Sequence, residues 1–360
     1  MLALDTTALR ALLERDADPG DRPVLTLVLP VDPSDPENHR RRGSERWRVQ
    51  LRNDLSDLAA PLQEDKAART RFEGLRERAE AWLADHEASG RSLVLHVDEE
   101  EAVAIELPVV LEQEAGFGEP RVAALVRALC DHRLYAAVLV DREEARAVTG
   151  HLGFVDDLAT IELGPEWGMP GPTRSGHQFR FEARQEKYQA KAHAAVAAEV
   201  DRLLDETPAI ERLVLGGLET EAHGVARALA ARSHRRLVGV VAIPMDSSDA
   251  ELAERVRPHA DAFERQQDHE AAAAFEAARG IGRAVSGPER TVRALEQYLA
   301  RDVLVSAHLG DTDLVERVAR LTVLTGVEVR FLHGEAAAAL DADGGVGARL
   351  YYATEPAPVD

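Results

Sequence analysis

The stretch Gly171-Pro-Thr-Arg-Ser-Gly-His-Gln-Phe-Arg-Phe-Glu-Ala-Arg-Gln-Glu-Lys-Tyr188 joins a polar, glycine-containing loop to the start of a long amphipathic run. Four cations follow the loop at spacings of four, three and four residues, so a helix would place them all on one face. We call them the basic stripe: Arg180, Arg184, Lys187 and Lys191. Cations near a helix N-terminus oppose the macrodipole by about 0.3–1 kcal/mol each. Helix stability therefore does not explain the stripe, which predicts a binding site for a polyanion.

A second basic segment lies nearer the N-terminus. Between Asn38 and Arg52, six arginines accompany a single acid, Glu45; they are Arg40, Arg41, Arg42, Arg46, Arg48 and Arg52. The net charge of −21 excludes the class of proteins that coat nucleic acid indiscriminately. Two basic segments on an acidic chain instead favour site-directed contact with phosphates, to which Arg174 in the loop would contribute. A solvated charged face is the alternative for either segment alone.

Composition places the chain among soluble globular proteins, with 45% apolar and 30% charged residues. The N-terminus lacks a signal-peptide layout, and no apolar run approaches the roughly 18 residues that would cross a bilayer. We therefore expect a cytoplasmic protein without membrane contact. Cys130 is the one cysteine, which excludes an intramolecular disulfide and predicts a buried structural thiol.

The length of 360 residues predicts more than one domain, and the order of apolar patterns favours three. We expect an N-terminal α/β domain with long helices over residues 1–117. A central α/β domain with a parallel sheet and a protruding loop and helix is expected over 118–280. Residues 281–360 are expected to form a small C-terminal α/β/α sandwich.

Individual elements follow from hydrophobic periodicity and from proline and glycine boundaries. Because strands alternate with helices in the centre, a parallel sheet with right-handed crossovers is expected there. The predicted strands include Val24–Leu29, Ser92–Val97, Ala102–Leu107, Tyr135–Val140, Arg212–Gly217 and Leu237–Ile243. The predicted helices include Phe179–Glu206, Thr220–Arg232, and Ser248–Arg279 with a break at Pro258.

This order of elements resembles the archaeal and eukaryotic peptide chain release factor family. It is most similar to the bacterial branch of that family, which contains the hibernation factor Balon and is related to Pelota. The resemblance covers roughly residues 117–352, and the order of the matching pieces carries more weight than any single motif. The matching pieces are Tyr135–Val140, the loop Arg174–Gln178 with the helix after it, Leu213–Gly217, Asp302–Ser306 and Gly344–Tyr352.

The resemblance implies a catalytic role for the loop tip. Family members that terminate translation carry Gly-Gly-Gln there, whereas this chain has Gly176, His177 and Gln178. Two glycines let the backbone adopt positive φ, and a histidine in the second position adds a Cβ that costs about 1–2 kcal/mol in that region. The departure puts hydrolysis in doubt. If Gln178 acts, it would orient a water and stabilise the oxyanion through its amide.

Other chemistry has little support in the sequence. No carboxylate near His177 in sequence would orient it as a general base, which favours an RNA-contacting role. The histidines lack zinc-ligand spacing, and the glycine pairs at 216–217 and 344–345 lack a phosphate-loop pattern, so we expect no metal and no cofactor. Trp47 could stack on an unpaired base, although its helical spacing with Leu51 and Leu55 is typical of a core residue.

The leading hypothesis is a monomeric, release-factor-like translation factor that binds the ribosomal A site. Its expected partners are ribosomal RNA and, as the resemblance implies, peptidyl-tRNA and a translational GTPase. A non-hydrolytic role in hibernation or stalled-ribosome recognition is favoured over enzymatic activity. Two alternatives stay open: a peptidyl-tRNA hydrolase in ribosome rescue, and a non-ribosomal α/β protein with a small ligand at the strand ends.

Overall fold

A computed structural model describes residues 6–14, 22–38, 45–87, 89–151, 154–162 and 178–353. Within these residues, helices accompany three β-sheets, which confirms the α/β fold class. The helices are α1 (Thr6–Glu14), α2 (Arg46–Ala59), α3 (Lys66–Asp85), α4 (Ala123–Asp131), α5 (Gln178–Glu206), α6 (Glu219–Ala228), α7 (Ala231–His234), α8 (Asp249–Gly280), α9 (Pro288–Glu296), α10 (Thr312–Thr325) and α11 (Ala338–Ala342).

The chain divides into two compact units. The first unit comprises Met1–Asp131 together with Asp268–Asp360, and the second comprises His132–Gln267. Two sheets belong to the first unit and one to the second. The division into three domains, with boundaries at residues 117 and 280, stays a prediction.

The first sheet is antiparallel, with the strand order β3-β2-β1-β4. Its strands are β1 (Val24–Leu29), β2 (Ser92–Val97), β3 (Ala102–Leu107) and β4 (Glu114–Gly118). Three of them have the bounds that the sequence predicts, because each is an apolar run between turn residues. The sequence analysis did not predict β4, since two of its five residues are glycines, which weaken a strand signal.

Helices α2 and α3 cover one face of the first sheet. Alternate residues of β1 and β2 point to this face and are buried against Trp47 on α2 and Phe72 on α3. The ring of Phe72 meets that of Phe117 edge to face, with centroids 5.2 Å apart. Trp47 is 8% exposed. It is therefore a core residue, as its spacing indicates.

The second sheet has the order β7-β6-β5-β8-β9. Its strands are β5 (Tyr135–Val140), β6 (Glu144–His151), β7 (Phe154–Glu162), β8 (Arg212–Gly217) and β9 (Leu237–Val240). Strands β5, β8 and β9 are parallel, as expected from the strand and helix alternation. The β6–β7 hairpin adds two antiparallel strands, so the sheet is mixed.

Helices cover both faces of the second sheet. Ala136 and Leu213 are buried on the face toward α5 and α6, whereas Ala137 and Val214 pack with Val256 of α8 on the other. This two-sided burial explains the continuous apolar runs of β5 and β8.

Two predicted helices in this region are corrected. The break at Pro258 is wrong, because α8 continues through it; the missing N–H removes one backbone hydrogen bond without ending the helix. The predicted helix Thr220–Arg232 is two helices, α6 and α7, which are separated at Leu229 and Ala230 by extended backbone.

The third sheet has the order β10-β13-β11-β12, and only β11 and β12 are parallel. Its strands are β10 (Ala284–Ser286), β11 (Ala300–Ser306), β12 (Glu328–Leu332) and β13 (Val346–Leu350). Leu304 packs on one face with Phe275 of α8, and its neighbours Val303 and Val305 are buried on the other. Both faces are covered, as expected of an α/β/α sandwich. The three-residue strand β10 is too short to give a sequence signal.

Helix α4 links the first sheet to the third within the first unit. It contacts α10 and β12, and the half-buried Cys130 donates its thiol to the carbonyl of Val329 at 3.3 Å. No helix of the described residues is long and apolar enough to cross a membrane.

Candidate functional site

Helix α5 is the element that carries the basic stripe. It has 29 residues, which corresponds to a rod of about 43 Å. Its C-terminal half packs on β5, β8 and α6 through buried side chains: Val196, Ala197, Val200, Leu203 and Leu204. Before Val196, the described side chains are exposed or half-buried. The helix is therefore held by one half, and the other half carries the stripe.

Lys187 and Lys191 lie on the outer face of α5, and both are exposed. The ion pairs of α5 that involve described side chains lie further along the helix, at His193, Arg202 and Asp205. The chain has only three lysines, the third being Lys66 on α3. Two of three ammonium groups in a strongly acidic chain thus lie one helical turn apart on the same exposed face.

The structure describes only part of the predicted site. Arg174, Gly176 and His177 lie outside the described residues, as do Arg40, Arg41 and Arg42. Gln178, Arg180 and Arg184 belong to α5 by their backbone, but their side chains are outside what the structure describes. The roles assigned to these nine residues stay predictions.

The described arginines of the N-terminal basic segment lie on α2. Arg46 and Arg52 are exposed. Arg48 instead serves the fold: it donates to the carbonyl of Leu83 at 3.1 Å, pairs with Glu45 at 3.4 Å and stacks 4.3 Å from the ring centroid of Trp47. An RNA contact by Arg48 would have to replace these interactions.

A histidine that the sequence analysis did not single out fixes α5 to α6. The His193 Nε2–H donates to Glu221 Oε2 at 2.7 Å, and both side chains are largely buried, at 15% and 9% exposure. The ring lies over Gly224, where a Cβ would be 2.5 Å from Nε2 and closer still to Nδ1 and Cε1. We call Glu221 and Gly224 the α6 socket. Gly224 is the sequence feature that could have indicated this contact, since a glycine inside a helical pattern often marks a close approach.

The described residues contain no group of three or more His, Cys, Asp or Glu side chains that could hold a metal ion. The buried His96 shows why a lone histidine is weak evidence for a ligand. Burial lowers the pKa of His96 to about 4, and its Nε2–H donates to the carbonyl of Arg121 at 2.9 Å. Its role is structural, within the first sheet.

Comparison with solved structures returns proteins of translation termination and related pathways. An archaeal translation termination factor, aRF1, is 16% identical over 91% of this chain and 92% of its own, with a TM-score of 0.23. Ribosome-bound archaeal Pelota, in a complex with ABCE1, is 16% identical over 74% and 73%, with a TM-score of 0.44. Dom34 of S. cerevisiae, a termination-like factor that interacts with Hbs1, is 12% identical over 74% of each chain, with a TM-score of 0.41.

These TM-scores are all below 0.5, and no curated protein matches the chain. The assignment therefore rests on the family model. Bacterial archaeo-eukaryotic release factor family 10 matches residues 120–261, a segment that holds the second sheet, α5 and the socket. The resemblance to the bacterial branch of the release factor family is thus confirmed for this central segment, which matches the model of family 10.

Proposed function

We propose that this protein is a release-factor-like translation factor that binds the A site of the ribosome without hydrolysing peptidyl-tRNA. It would act in ribosome hibernation or in recognition of stalled ribosomes. One observation carries the proposal: Lys187 and Lys191 are exposed along a helix of the release-factor segment, in a chain of net charge −21. Such a local cationic surface on an acidic protein suits contact with RNA phosphates at a defined place.

The non-hydrolytic role is supported by the sequence at the loop tip. His177 stands where terminating family members have their second glycine, and its Cβ restricts the backbone conformations open to that position. The expected partners remain ribosomal RNA, peptidyl-tRNA and a translational GTPase, with Arg46 and Arg52 supplying a further RNA contact. We expect the protein to work in the cytoplasm as a monomer.

Amine footprinting tests the contact directly, because the chain has three lysines. Reductive methylation of the protein, free and bound to purified ribosomes, is followed by mass spectrometry of its own peptides. We expect bound ribosomes to slow the modification of Lys187 and Lys191 several-fold. Lys66 is exposed on α3 and serves as the internal control. Equal modification of all three lysines in both states would contradict the proposed contact.

A charge-neutral double variant measures the strength of the same contact. Lys187→Gln with Lys191→Gln is expected to weaken ribosome binding about tenfold or more at 0.1 M salt and to reduce the salt dependence of log K by about 1.5–2 units of slope. Lys66→Gln removes one positive charge elsewhere and should change neither value. Co-sedimentation over a salt series supplies both numbers. If the wild type does not sediment with ribosomes at 0.1 M salt, the ribosomal function is wrong and the small-ligand alternative remains.

Peptide release separates the proposed role from the hydrolase alternative. Ribosomes stalled with labelled peptidyl-tRNA are incubated with the wild type or with Gln178→Ala. With either protein, we expect the peptide to be released no faster than in the control without a factor, since no hydrolysis is proposed. Faster release by the wild type that Gln178→Ala abolishes would establish the hydrolase instead.

A further inference from the structure

The α6 socket lies where the packed half of α5 ends. From Val196 onward the helix is held by the core of the second unit, and before it the described residues 187–195 are exposed or half-buried. At this boundary, the hydrogen bond from His193 to Glu221 ties α5 to α6. The geometry of this contact therefore sets how the N-terminal half of α5 leaves the body of the second unit.

The socket accepts one side chain in one orientation. Glu221 and Gly224 are three residues apart and so lie on the same face of α6. Glu221 accepts the hydrogen bond from the imidazole N–H of His193, and Gly224 leaves the space that the imidazole ring fills. Both the rotation of α5 about its axis and its height along α6 are fixed by this fit, because a side chain at 224 would occupy the position of the ring.

The rotation that the socket imposes points Lys187 and Lys191, the two stripe residues with described side chains, to solvent. At 100° per residue, Lys191 lies about 160° and Lys187 about 120° around the helix axis from His193. Gln178 is 15 residues before His193, which is about 22 Å along the helix, so a tilt of about 10° at the socket would displace the start of α5 by about 4 Å. A small change of tilt at His193 therefore causes a larger displacement at the N-terminal end of α5, next to the stripe.

We propose that His193 is a positioning residue: seated in the α6 socket, it fixes the rotation and tilt of α5 and thereby the place at which the basic stripe meets RNA. The consequence for RNA rests on the proposed function, whereas the fixation of α5 does not. His193 acts through the helix and does not itself contact the RNA.

Distance measurements on the free protein test the fixation. Spin labels are placed at two exposed positions of the second unit, Ala190→Cys on α5 and Arg227→Cys on α6, in a Cys130→Ser background. A narrow distance distribution is expected in the parent. Gly224→Ala, which expels the ring, should broaden or shift it, and so should His193→Ala. When His193→Ala and Gly224→Ala are combined, the methyl group at 224 enters the space that the imidazole ring has vacated. The effects of the two substitutions on the distance distribution should therefore be less than additive.

A stability-matched control separates positioning from a general loss of structure. Val225→Ala removes buried apolar volume from α6 next to the socket without changing the socket. It should lower the melting temperature at least as much as Gly224→Ala, yet keep the parent distance distribution and the parent ribosome affinity. Gly224→Ala should weaken ribosome binding several-fold.

Either of two results would overturn the proposal. One is an unchanged distance distribution in both Gly224→Ala and His193→Ala. The other is a Val225→Ala variant that broadens the distribution as much as Gly224→Ala does. Failure of the ribosomal function is distinguishable, because the distance measurement needs no ribosome: broadened distances in a protein that never binds ribosomes would leave the fixation intact and remove only its proposed purpose.

Discussion

Replacement of Gly217 by alanine is expected to lower the free energy of unfolding by about 3–5 kcal/mol, the sum of a strained backbone and a collision. Gly217 ends β8 with φ of +91°, a value that side chains rarely adopt. A Cβ there would lie 2.5 Å from the backbone nitrogen of Val140 and closer still to its carbonyl oxygen. Because the obstacle is the backbone of the central strand β5, no side-chain rotation can relieve it.

The damage extends to the hydrogen bonds around this turn. The N–H of Gly217 donates to Ile243 at 2.8 Å, and the N–H of Leu218 donates to Val140 at 2.8 Å. A shift of the backbone at 217 disturbs both, at the point where three parallel segments meet. A loss of this size is a large share of the 5–15 kcal/mol that stabilises a typical domain.

Urea unfolding of the full chain, followed by circular dichroism, measures the effect. Gly239→Ala is the matched control, since Gly239 lies in β9 of the same sheet and a Cβ there would meet nothing within 4 Å. That variant should be neutral or more stable by up to about 1 kcal/mol. Equal unfolding midpoints for the two variants would show that the close approach at Gly217 does not constrain the sheet.

Sequence patterns specified the parts of this fold that depend on burial alone. Tyr135–Val140 is continuously apolar, and Val24–Leu29 is apolar except for Thr26, because both faces of these strands are covered; their ends are marked by turn residues. The prediction at Pro258 was wrong for a related reason. Proline disfavours a helix locally, but packing of Leu252 and Val256 on one side and Phe275 on the other holds α8 through it.

The candidate site was predictable only along one helix. The period of 3.6 residues is enough to line up the stripe, and the same period places Val196, Val200 and Leu203 in the core. The α6 socket joins residues 28 positions apart, and no local period connects His193 to Glu221. The same holds for the capping of α4 by Glu316, which lies 194 residues away from Val122.

Replacement of Glu316 by alanine is the second change with a large expected effect, about 2–4 kcal/mol of unfolding free energy at pH 5.5. Glu316 on α10 is 8% exposed, and its two oxygens accept the N–H groups of Val122 at 2.7 Å and Ala123 at 3.0 Å. These are N–H groups at the start of α4, which have no partner within their own helix. Alanine would leave both N–H groups without a hydrogen-bond acceptor in a largely buried place.

Asp313→Ala is the control. The Asp313 side chain is 85% exposed and pairs with Arg121, so its removal should cost less than about 1 kcal/mol of unfolding free energy.

The pH dependence of the same residue gives a signed test. Burial raises the pKa of Glu316 to about 7, against the opposing effect of the two N–H donors and Arg121. The folded protein therefore retains a proton that the unfolded chain has already released, and the stability contributed by Glu316 falls as the pH rises from about 4.5 to about 7. Glu316→Gln cannot titrate, so the stability difference between wild type and this variant isolates the effect. That difference should decrease by up to about 3 kcal/mol across this range, at 1.36 kcal/mol per pKa unit. A difference that is constant or grows with pH would mean that the carboxylate is held charged by its donors.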